Sequence, residues 1–368
     1  MLTDNSPVTA TRAADVLATG DRVVLKIGTS SLVTGGRLDP AKLDRLCDCV
    51  HRGLVSGLRP VLVASGAIAI GGTRHPALAA GGAVAQQVSA ALGQSRLYSA
   101  IQAGFADRGL LTGQLLLTPP DLVDPDRDCR VRHTLETMLA LGMIPVVNEN
   151  DALGVRNNDV LAALLGGYLQ AGLLLLLTNV PGLYDSNPLL ADGARHIGDV
   201  AALTPELEEL AGGSVGDGGT GGMRTKLGAC WIATFSGVRT VIADTADPDV
   251  LVSAHCGRPV GTVFRPRAVT GATPGLRALW RAFRSPPLGA LLCTTAGRSA
   301  LERGETLCHY HIGAAHGGFA PGDVVDIRDA GGRPLARGTA RCAAATGCPP
   351  AAPIVARGDY VRIVEDQP

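Results

Sequence analysis

The sequence has no excess of either charge and contains few aromatic residues. Lysine plus arginine and aspartate plus glutamate number 33 each, so the formal net charge is zero. Proteins that bind nucleic acids generally carry a basic excess, so this class is not expected. Aromatic residues make up 3% of the chain, against 46% hydrophobic residues and 48 glycines. The chain is apolar enough to exclude disorder throughout, and its packing must rest mainly on alanine, valine and leucine.

Signals for membranes, secretion and metal binding are also lacking. No apolar run reaches the ~18 residues that a membrane span needs. The first residues include Asp4, Asp15 and Asp21 and contain no apolar segment typical of a signal peptide. The nine cysteines are odd in number, scattered and without a CxxC pair, which indicates reduced thiols. We therefore expect a soluble cytoplasmic protein with no membrane partner and no metal-ligating residues of its own.

Apolar runs of strand length alternate with helical patterns over most of the chain. Several of these runs, most clearly 173–177, are apolar throughout rather than alternating. This pattern is typical of a parallel sheet covered by helices on both faces, and so of the α/β class. The predicted strands are 23–28, 60–64, 109–118, 144–147, 173–178 and 240–243, and the predicted helices are 39–55, 83–103, 130–141, 159–170 and 222–236.

A length of 368 residues favours two domains. After about residue 266 one more helical segment leads to a proline-rich stretch at 285–287, and the apolar segments beyond it become short and are separated by glycine and turn residues. The sequence therefore predicts a flexible leader over 1–20, an α/β domain over 21–284 and a small β-rich domain over 288–368.

Three glycine-rich turns follow predicted strands or open predicted helices, at 26–31, 64–67 and 218–226. Glycine at such places lets backbone N–H groups approach phosphate oxygens, and ligands of open α/β sheets bind at the carboxyl ends of the strands. The P-loop pattern GxxxxGK[ST] is absent. One such turn is weak evidence, but three within one α/β pattern favour a phosphate-binding site.

Two lysines strengthen this interpretation. Lys26 ends an apolar strand, where a cation is costly unless it is paired. Lys226 lies in the first turn of a predicted helix, against the usual preference for anions there. Each alone could be a lysine with its ammonium in solvent. Together they suit a polyphosphate, since phosphoryl transfer depends mainly on positioning and charge neutralisation.

Polar side chains are concentrated at 148–151, after a predicted strand, and at 157–159, where a helix begins. Dense amides and carboxylates at strand ends suit an amino-acid or metal–phosphate site. Asparagine and aspartate also cap helices and form turns, so Asp159 could be no more than a helix cap.

The motifs taken together resemble the glutamate 5-kinases of the amino acid kinase family. The matching segments, in chain order, are 23–28, 64–68, 91–96, 113–118, 145–151, 182–184 and 219–226. Residues 322–338 resemble the PUA domain that many bacterial members carry. The resemblance implies a three-layer α/β sandwich with a mainly parallel sheet, followed by a PUA-like domain. It also implies phosphorylation of the side-chain carboxylate of L-glutamate by ATP with Mg²⁺, which is the first step of proline biosynthesis.

The resemblance also assigns residue roles. The implied catalytic residues are Lys26, Asp159 and Lys226. The residues implied to bind glutamate are Ser65, Asn148, Asp151 and Asn158. Those implied to bind ATP are Lys26, Gly28, Thr178, Asn179, Thr220, Gly221, Gly222, Met223, Arg224, Thr225 and Lys226. The family further implies a homo-oligomer. It also implies a separate glutamyl phosphate reductase as a partner, since the product is a labile acyl phosphate.

Two alternatives remain open at this point. Asn157 and Asn179 stand where the family usually has aspartate, and the stretch 151–157 is shorter than in typical bacterial members. A paralogous kinase of a specialised pathway, acting on a glutamate analogue, would also fit these differences. An RNA-binding protein with a degenerate kinase core is the other alternative. It is disfavoured because the arginines of 288–368 are balanced by acidic residues.

Overall fold

The computed structural model describes residues 22–78, 81–154, 157–186, 193–211, 222–267, 273–343 and 349–363. The expected leader over 1–20, and Thr220 and Gly221, lie outside these residues. The strands are β1 Arg22–Ile27, β2 Val33–Thr34, β3 Arg37–Leu38, β4 Arg59–Ala64, β5 Thr112–Leu117, β6 Ile144–Glu149, β7 Leu173–Thr178, β8 Leu183–Tyr184, β9 His196–Ile197, β10 Asp199–Val200, β11 Arg239–Asp244, β12 Thr262–Phe264, β13 Gly289–Cys293, β14 Leu307–Cys308, β15 Ile312–Gly317, β16 Val324–Arg328, β17 Pro334–Thr339, β18 Pro353–Val355 and β19 Tyr360–Arg362. The α-helices are α1 Pro40–Val55, α2 Ala67–Gly72, α3 Ala83–Ala106, α4 Pro119–Val123, α5 Pro125–Ala140, α6 Asn158–Tyr168, α7 Pro205–Ala211, α8 Met223–Phe235, α9 Val250–His255, α10 Leu276–Phe283 and α11 Thr295–Glu302.

Eight of the described strands form the main sheet, in the order β10-β12-β11-β7-β1-β4-β6-β5. The pairings from β11 through β7, β1, β4 and β6 to β5 are all parallel, and β12 pairs antiparallel with β11. This confirms the predicted mainly parallel sheet. The sequence pattern missed two strands of this sheet, β10 with two residues and β12 with three.

The buried strand β7 shows why the fold has three layers. All six of its residues are buried. Leu174 and Leu176 face the hydrophobic core that contains α6 and α8, whereas Leu173, Leu175 and Leu177 face the core that contains α1, α3 and α9. Since successive side chains of a strand point to opposite faces, a wholly apolar strand requires helices on both sides. The three-layer α/β sandwich is confirmed.

Helix boundaries follow local capping signals. The Asp39 carboxylate accepts hydrogen bonds from the backbone N–H groups of Ala41 and Lys42, so α1 begins at Pro40, one residue after the predicted start. The prediction for α5 was wrong at its start, since the helix begins at Pro125 rather than near 130. Asp124 caps it, and proline suits the first helical position because its missing N–H needs no partner there.

The β-rich C-terminal unit has its own sheet and its own small core. Its five-stranded sheet has the order β15-β13-β16-β17-β19, and β14 pairs with β18. Leu291, Ile327 and Val355 belong to its hydrophobic core. Short apolar segments separated by turns therefore formed strands, as the sequence pattern predicted.

The two units meet along α10. The ring of Phe283, the last residue of α10, stacks on Trp231 of α8 at 5.2 Å between centroids. Val361 and Ile363 from the end of the C-terminal unit belong to the same core cluster as Trp231. The core of the α/β unit is thus completed by residues from the far end of the chain. Among the described residues no helix combines the length and apolar character needed to cross a membrane.

Candidate active site

A buried carboxylate lies between two buried lysines at the carboxyl edge of the main sheet. Lys26 Nζ of β1 is 2.8 Å from Asp159 Oδ1, and Lys226 Nζ of α8 is 3.4 Å from Asp159 Oδ2. Thr225 Oγ1 donates a hydrogen bond to Asp159 Oδ2 at 3.1 Å. The three residues implied to be catalytic are therefore brought together. Asp159 lies in the first turn of α6 and is more than a helix cap, because it is ion-paired to both lysines.

The electrostatics of this cluster are those of paired buried charges. Lys26, Asp159 and Lys226 are 5%, 1% and 7% exposed. Burial raises the pKa of the Asp159 carboxyl, but the Lys26 and Lys226 charges and the hydrogen bonds from Lys26 and Thr225 outweigh it and lower this pKa to about 2. Burial lowers the pKa of the Lys26 ammonium, Asp159 raises it, and the Lys226 charge lowers it, with a net shift downward. One carboxylate thus holds two cations in place, which leaves a local excess of positive charge for an anionic ligand.

Parallel strand register brings the other predicted positions to this edge. Ile27 of β1 is aligned with Ala64 of β4 and with Leu177 of β7. The residues that follow these three positions are Gly28, Ser65 and Thr178, so the register places all three beside one another. The Gly28 N–H donates to Leu177 O at 3.3 Å, and the Ser65 N–H donates to Ile27 O at 3.2 Å.

A network of amide side chains connects the residues implied to bind glutamate. Asn158 Nδ2 donates to Ser65 Oγ at 3.1 Å and to Asn148 Oδ1 at 2.8 Å. Asn148 Nδ2 donates to Gln94 Oε1 of α3 at 2.7 Å. Asp151 is buried in the short 3-10 helix that follows β6. Ser65, Asn148 and Asn158 therefore form one hydrogen-bonded group, and Asp151 lies near it along the chain.

Sequence reasoning missed two members of this region, Gln94 and Glu149. Gln94 lies in the matching segment 91–96, but nothing local distinguished it from a surface residue. Glu149 is buried at the end of β6, and its Oε2 accepts a hydrogen bond from the backbone N–H of Asn157. The Glu149 N–H in turn donates to Asn148 Oδ1 at 2.9 Å and to Asn158 Oδ1 at 3.0 Å. Glu149 thus connects the end of β6 to the start of α6.

The positions implied to bind ATP are described in part. Thr178 is buried at the end of β7, and its hydroxyl donates to Asn179 Oδ1 at 3.4 Å. Gly222 leads into α8, where Met223 is half-buried and Arg224 is exposed. Within the described residues no group of three histidine, cysteine, aspartate or glutamate side chains is placed to hold a metal ion.

Comparisons with known proteins identify relatives of this chain. The chain matches the model of the amino acid kinase family over residues 21–244. It is 39% identical to a glutamate 5-kinase of Trichlorobacter lovleyi over 329 residues, which cover 87% of this chain and 86% of the relative. It is 36% identical to a glutamate 5-kinase of Moorella thermoacetica, with 89% of this chain and 88% of the relative covered. A glutamate 5-kinase of Klebsiella pneumoniae is 39% identical, with coverage of 87% and 88%.

The structural comparison supports the fold alone. UMP kinase from Bacillus anthracis superposes with a TM-score of 0.51 at 14% identity, covering 67% of this chain and 97% of that chain. Nearly the whole UMP kinase chain is matched, so that protein has the architecture of the α/β unit described above.

Proposed function

Because the chain belongs to the amino acid kinase family, and within it to the glutamate 5-kinases, we propose that it transfers the γ-phosphate of ATP to the side-chain carboxylate of L-glutamate. The buried cluster of Lys26, Asp159 and Lys226 is the observation that carries this proposal. Two fixed cations in a water-poor site suit a reaction in which two anions must meet. The product is L-glutamyl 5-phosphate, the first intermediate of proline biosynthesis.

Phosphoryl transfer to a carboxylate requires positioning and charge neutralisation rather than a strong base. A carboxylate oxygen of glutamate attacks the γ-phosphorus, a new O–P bond forms, and the bond from that phosphorus to the β,γ-bridging oxygen breaks. The electron pair of the broken bond leaves with ADP. The attacking carboxylate is already ionised, so no proton has to be removed. Lys26 and Lys226 stabilise charge on the moving phosphoryl group, and Asp159 holds both ammonium groups in position.

The hydrogen-bonded group at the ends of β4 and β6 supplies the acceptor site. Ser65, Asn148, Asp151 and Asn158 offer hydroxyl, amide and carboxylate groups that suit the ammonium and carboxylate groups of an amino acid. Gly28, Thr178 and Asn179, with Thr220, Gly221, Gly222, Met223, Arg224, Thr225 and Lys226, supply the nucleotide site. Thr220 and Gly221 are assigned from the sequence resemblance.

Mg²⁺ fits this arrangement as part of the bound nucleotide. Mg²⁺ commonly takes most of its ligands from substrate phosphates and water, so a cluster of protein ligands is not required. When bound, it would neutralise part of the phosphate charge. The residues that would face the same phosphates are Lys26 and Lys226.

An acceptor screen in the presence of hydroxylamine tests the proposed function. Protein, ATP, Mg²⁺ and L-glutamate should give γ-glutamyl hydroxamate, because hydroxylamine traps acyl phosphates. L-aspartate and N-acetyl-L-glutamate, whose phosphorylation would also give acyl phosphates, should give no hydroxamate above background. Product formation with another carboxylic acid but not with L-glutamate would overturn the glutamate assignment and favour the paralogous kinase. None of the observations favours the RNA-binding alternative.

Residues 21–284 form the proposed kinase domain and 288–368 the proposed PUA-like domain. We also place the enzyme in the cytoplasm, where ATP and glutamate are available, with a glutamyl phosphate reductase to consume its labile product.

A homo-oligomer is supported by an exposed apolar stripe on α3. Val84, Val88 and Leu92 lie four residues apart on one face of this helix, and all three are exposed. Such a stripe suits a second copy of the chain. Light scattering of the wild type and of a Val88→Glu, Leu92→Glu double variant tests this assignment. We expect the variant to dissociate, and a wild-type monomer would contradict the assignment.

A further inference from the structure

We propose that Arg337, in the C-terminal unit, is a positioning residue for ATP binding that acts through Glu208 of α7 and Trp231 of α8. The proposal rests on the proposed function in one respect only, namely that Lys226 and its neighbours bind ATP. It does not depend on which acid receives the phosphoryl group.

The side chains of Arg337, Glu208, Trp231 and Asp326 form a continuous buried network. Glu208 Oε2 accepts a hydrogen bond from Arg337 Nη1 at 2.8 Å and another from Trp231 Nε1 at 3.2 Å. Arg337 Nε donates to Asp326 Oδ1 at 2.8 Å within the C-terminal sheet. Glu208 is 4% exposed, Arg337 3% and Trp231 1%. One carboxylate therefore joins the C-terminal unit to two helices of the kinase unit.

Aromatic packing also connects Arg337 to Trp231. The guanidinium of Arg337 lies 5.7 Å from the ring centroid of Phe283, whose ring stacks on Trp231. Trp231 also stacks on Phe235, one turn further along α8. A displacement of Arg337 would therefore be transmitted to α8 by ring contacts as well as by hydrogen bonds.

Buried charges would not be required if the network only held the two units together. Buried ion pairs lose much of their attraction to desolvation, and well-packed apolar residues of similar volume commonly stabilise as well or better. The ion pair also fixes the relative orientation of its partners, because arginine donates hydrogen bonds in a fixed planar geometry. Arg337 uses that geometry to hold Asp326 on one side and Glu208 on the other.

The network includes a residue of α8, the helix that carries the proposed ATP-binding residues Thr225 and Lys226. Trp231 follows Lys226 by five positions on α8, and Thr225 and Lys226 contact Asp159 from the start of that helix. In the sequence, α7 and α8 are the helices on either side of 212–221, the segment that contains Thr220 and Gly221. Glu208 thus joins the two helices that flank the proposed nucleotide segment.

The glutamate side of the site is built from other elements. Ser65 follows β4, Asn148 lies on β6 and Asn158 begins α6, and the hydrogen bonds of this group run among those elements and to α3. No hydrogen bond of the described residues joins Glu208 to this group. A defect in the network should therefore weaken ATP binding and leave glutamate binding nearly unchanged.

Two conservative variants separate the two halves of the network. Trp231→Phe keeps an aromatic ring but removes the N–H that Glu208 accepts. Glu208→Gln keeps an oxygen for Trp231 but removes the charge that pairs with Arg337. In each we expect KM for ATP to rise about tenfold, since small displacements of a positioned group have effects of this order, while KM for glutamate changes less than about twofold. Arg341→Gln, which removes an ion pair with Asp359 inside the C-terminal unit, is the matched control and should change neither KM.

Equilibrium binding gives a readout that is independent of the acceptor. The dissociation constant of a non-hydrolysable ATP analogue, measured by calorimetry with Mg²⁺, should rise with KM for ATP in both variants. If the wild type produced no γ-glutamyl hydroxamate, the proposed function would fail and this measurement would still test the role of Arg337.

Other outcomes overturn the proposal. A merely structural network would lower the melting temperature and the amount of active enzyme, with both KM values and the analogue affinity unchanged. Where a single variant does not fold, the double variant Glu208→Gln, Arg337→Met removes both charges and avoids a buried unpaired carboxylate. Wild-type affinity for the analogue in that double variant would show that Arg337 does not position the ATP site.

Discussion

Asp159 compensates two buried cations at once, so its charge should matter more than its size. In Asp159→Asn, Lys26 and Lys226 lose their shared counter-ion while remaining buried. Removing one partner of a buried ion pair costs about 3–5 kcal/mol of stability. The two ammonium groups would also lose their fixed positions, so kcat should fall by about 10²–10³.

Urea denaturation and the hydroxamate rate measure these two effects. Asp121→Asn is the control, because the half-buried Asp121 carboxylate caps α4 by accepting hydrogen bonds from Thr118 and its ion pair is with Arg127, not with either lysine. It should lose about 1 kcal/mol of stability with kcat unchanged. An Asp159→Asn variant with wild-type kcat would contradict the assigned role.

The protonation state of Lys26 should set the alkaline limit of activity. Burial, together with the Lys226 charge, lowers the pKa of this ammonium below the ordinary lysine value of 10.5 even though Asp159 raises it. Only the protonated form offers a charge to phosphate, so kcat/KM for ATP should be retained at neutral pH and fall as the pH rises through this lowered pKa. Profiles of kcat/KM report the free enzyme, which is the state described here.

Initial rates between pH 7 and 10.5, with circular dichroism at each pH to exclude unfolding, test this expectation. A value of kcat/KM that stayed constant up to 10.5 in folded protein would show that Lys26 is not needed in its charged form.

At the scale of elements, α2 and α3 pack so closely that only glycine fits at their crossing. A Cβ at Gly71 would lie 1.8 Å from Ser89 O, and a Cβ at Gly93 would lie 1.9 Å from Ala67 O. Helix α2 directly follows Ser65 and Gly66, so a shift of this helix reaches the glutamate site. We expect Gly71→Ala to cost about 1–3 kcal/mol through overpacking and to raise KM for glutamate.

The neighbouring glycine provides a matched control. A Cβ at Gly72 would meet Ser89 Oγ at 3.7 Å, an ordinary contact. Gly72→Ala should therefore keep KM for glutamate and be as stable as the wild type or slightly more stable. Equal effects of the two alanines on melting temperature and KM would show that the close approach has no special role.

Local sequence pattern was sufficient for the six neighbouring parallel strands of the main sheet and for the cationic part of the site. The apolar run of β7 predicted a strand buried on both faces. Lys26 at the end of an apolar strand and Lys226 at the start of a helix are unusual positions for lysine, and they predicted a polyphosphate site. Gln94 and Glu149 were missed because their roles come from partners on other elements. Gln94 bonds Asn148 across 54 positions of sequence, and no periodic pattern encodes such a pairing.

At the scale of the whole molecule, the proline-rich stretch at 285–287 lies between α10 and β13 and predicts a domain boundary, but it says nothing about how the two units pack. Glu208 and Arg337 are 129 positions apart, and their pairing depends on strand register in one unit and helix position in the other. Val361 and Ile363 likewise enter a core made mostly of residues before 284. Contacts of this kind arise only from the completed fold, so a boundary visible in sequence need not be a boundary in stability.

Shared packing predicts that the two units unfold together. Ile363 belongs to the core of the α/β unit, whereas Leu291 belongs to the separate core of the C-terminal unit. Both are buried, so Ile363→Ala and Leu291→Ala should each cost about 2–5 kcal/mol. If the units are cooperative, both variants lower the midpoint of one and the same transition.

Tryptophan fluorescence and far-ultraviolet circular dichroism, recorded on the same thermal ramp, measure this directly. Trp231 and Trp280, the two tryptophans of the chain, lie on α8 and α10, so fluorescence reports the α/β unit, whereas circular dichroism reports both units. Leu288→Ala, at an exposed position, is the control and should stay within about 0.5 kcal/mol of wild type. If Leu291→Ala shifted part of the dichroism signal and left the fluorescence midpoint unchanged, the units would unfold independently. The continuity of the core through Val361 and Ile363 would then contribute little to stability.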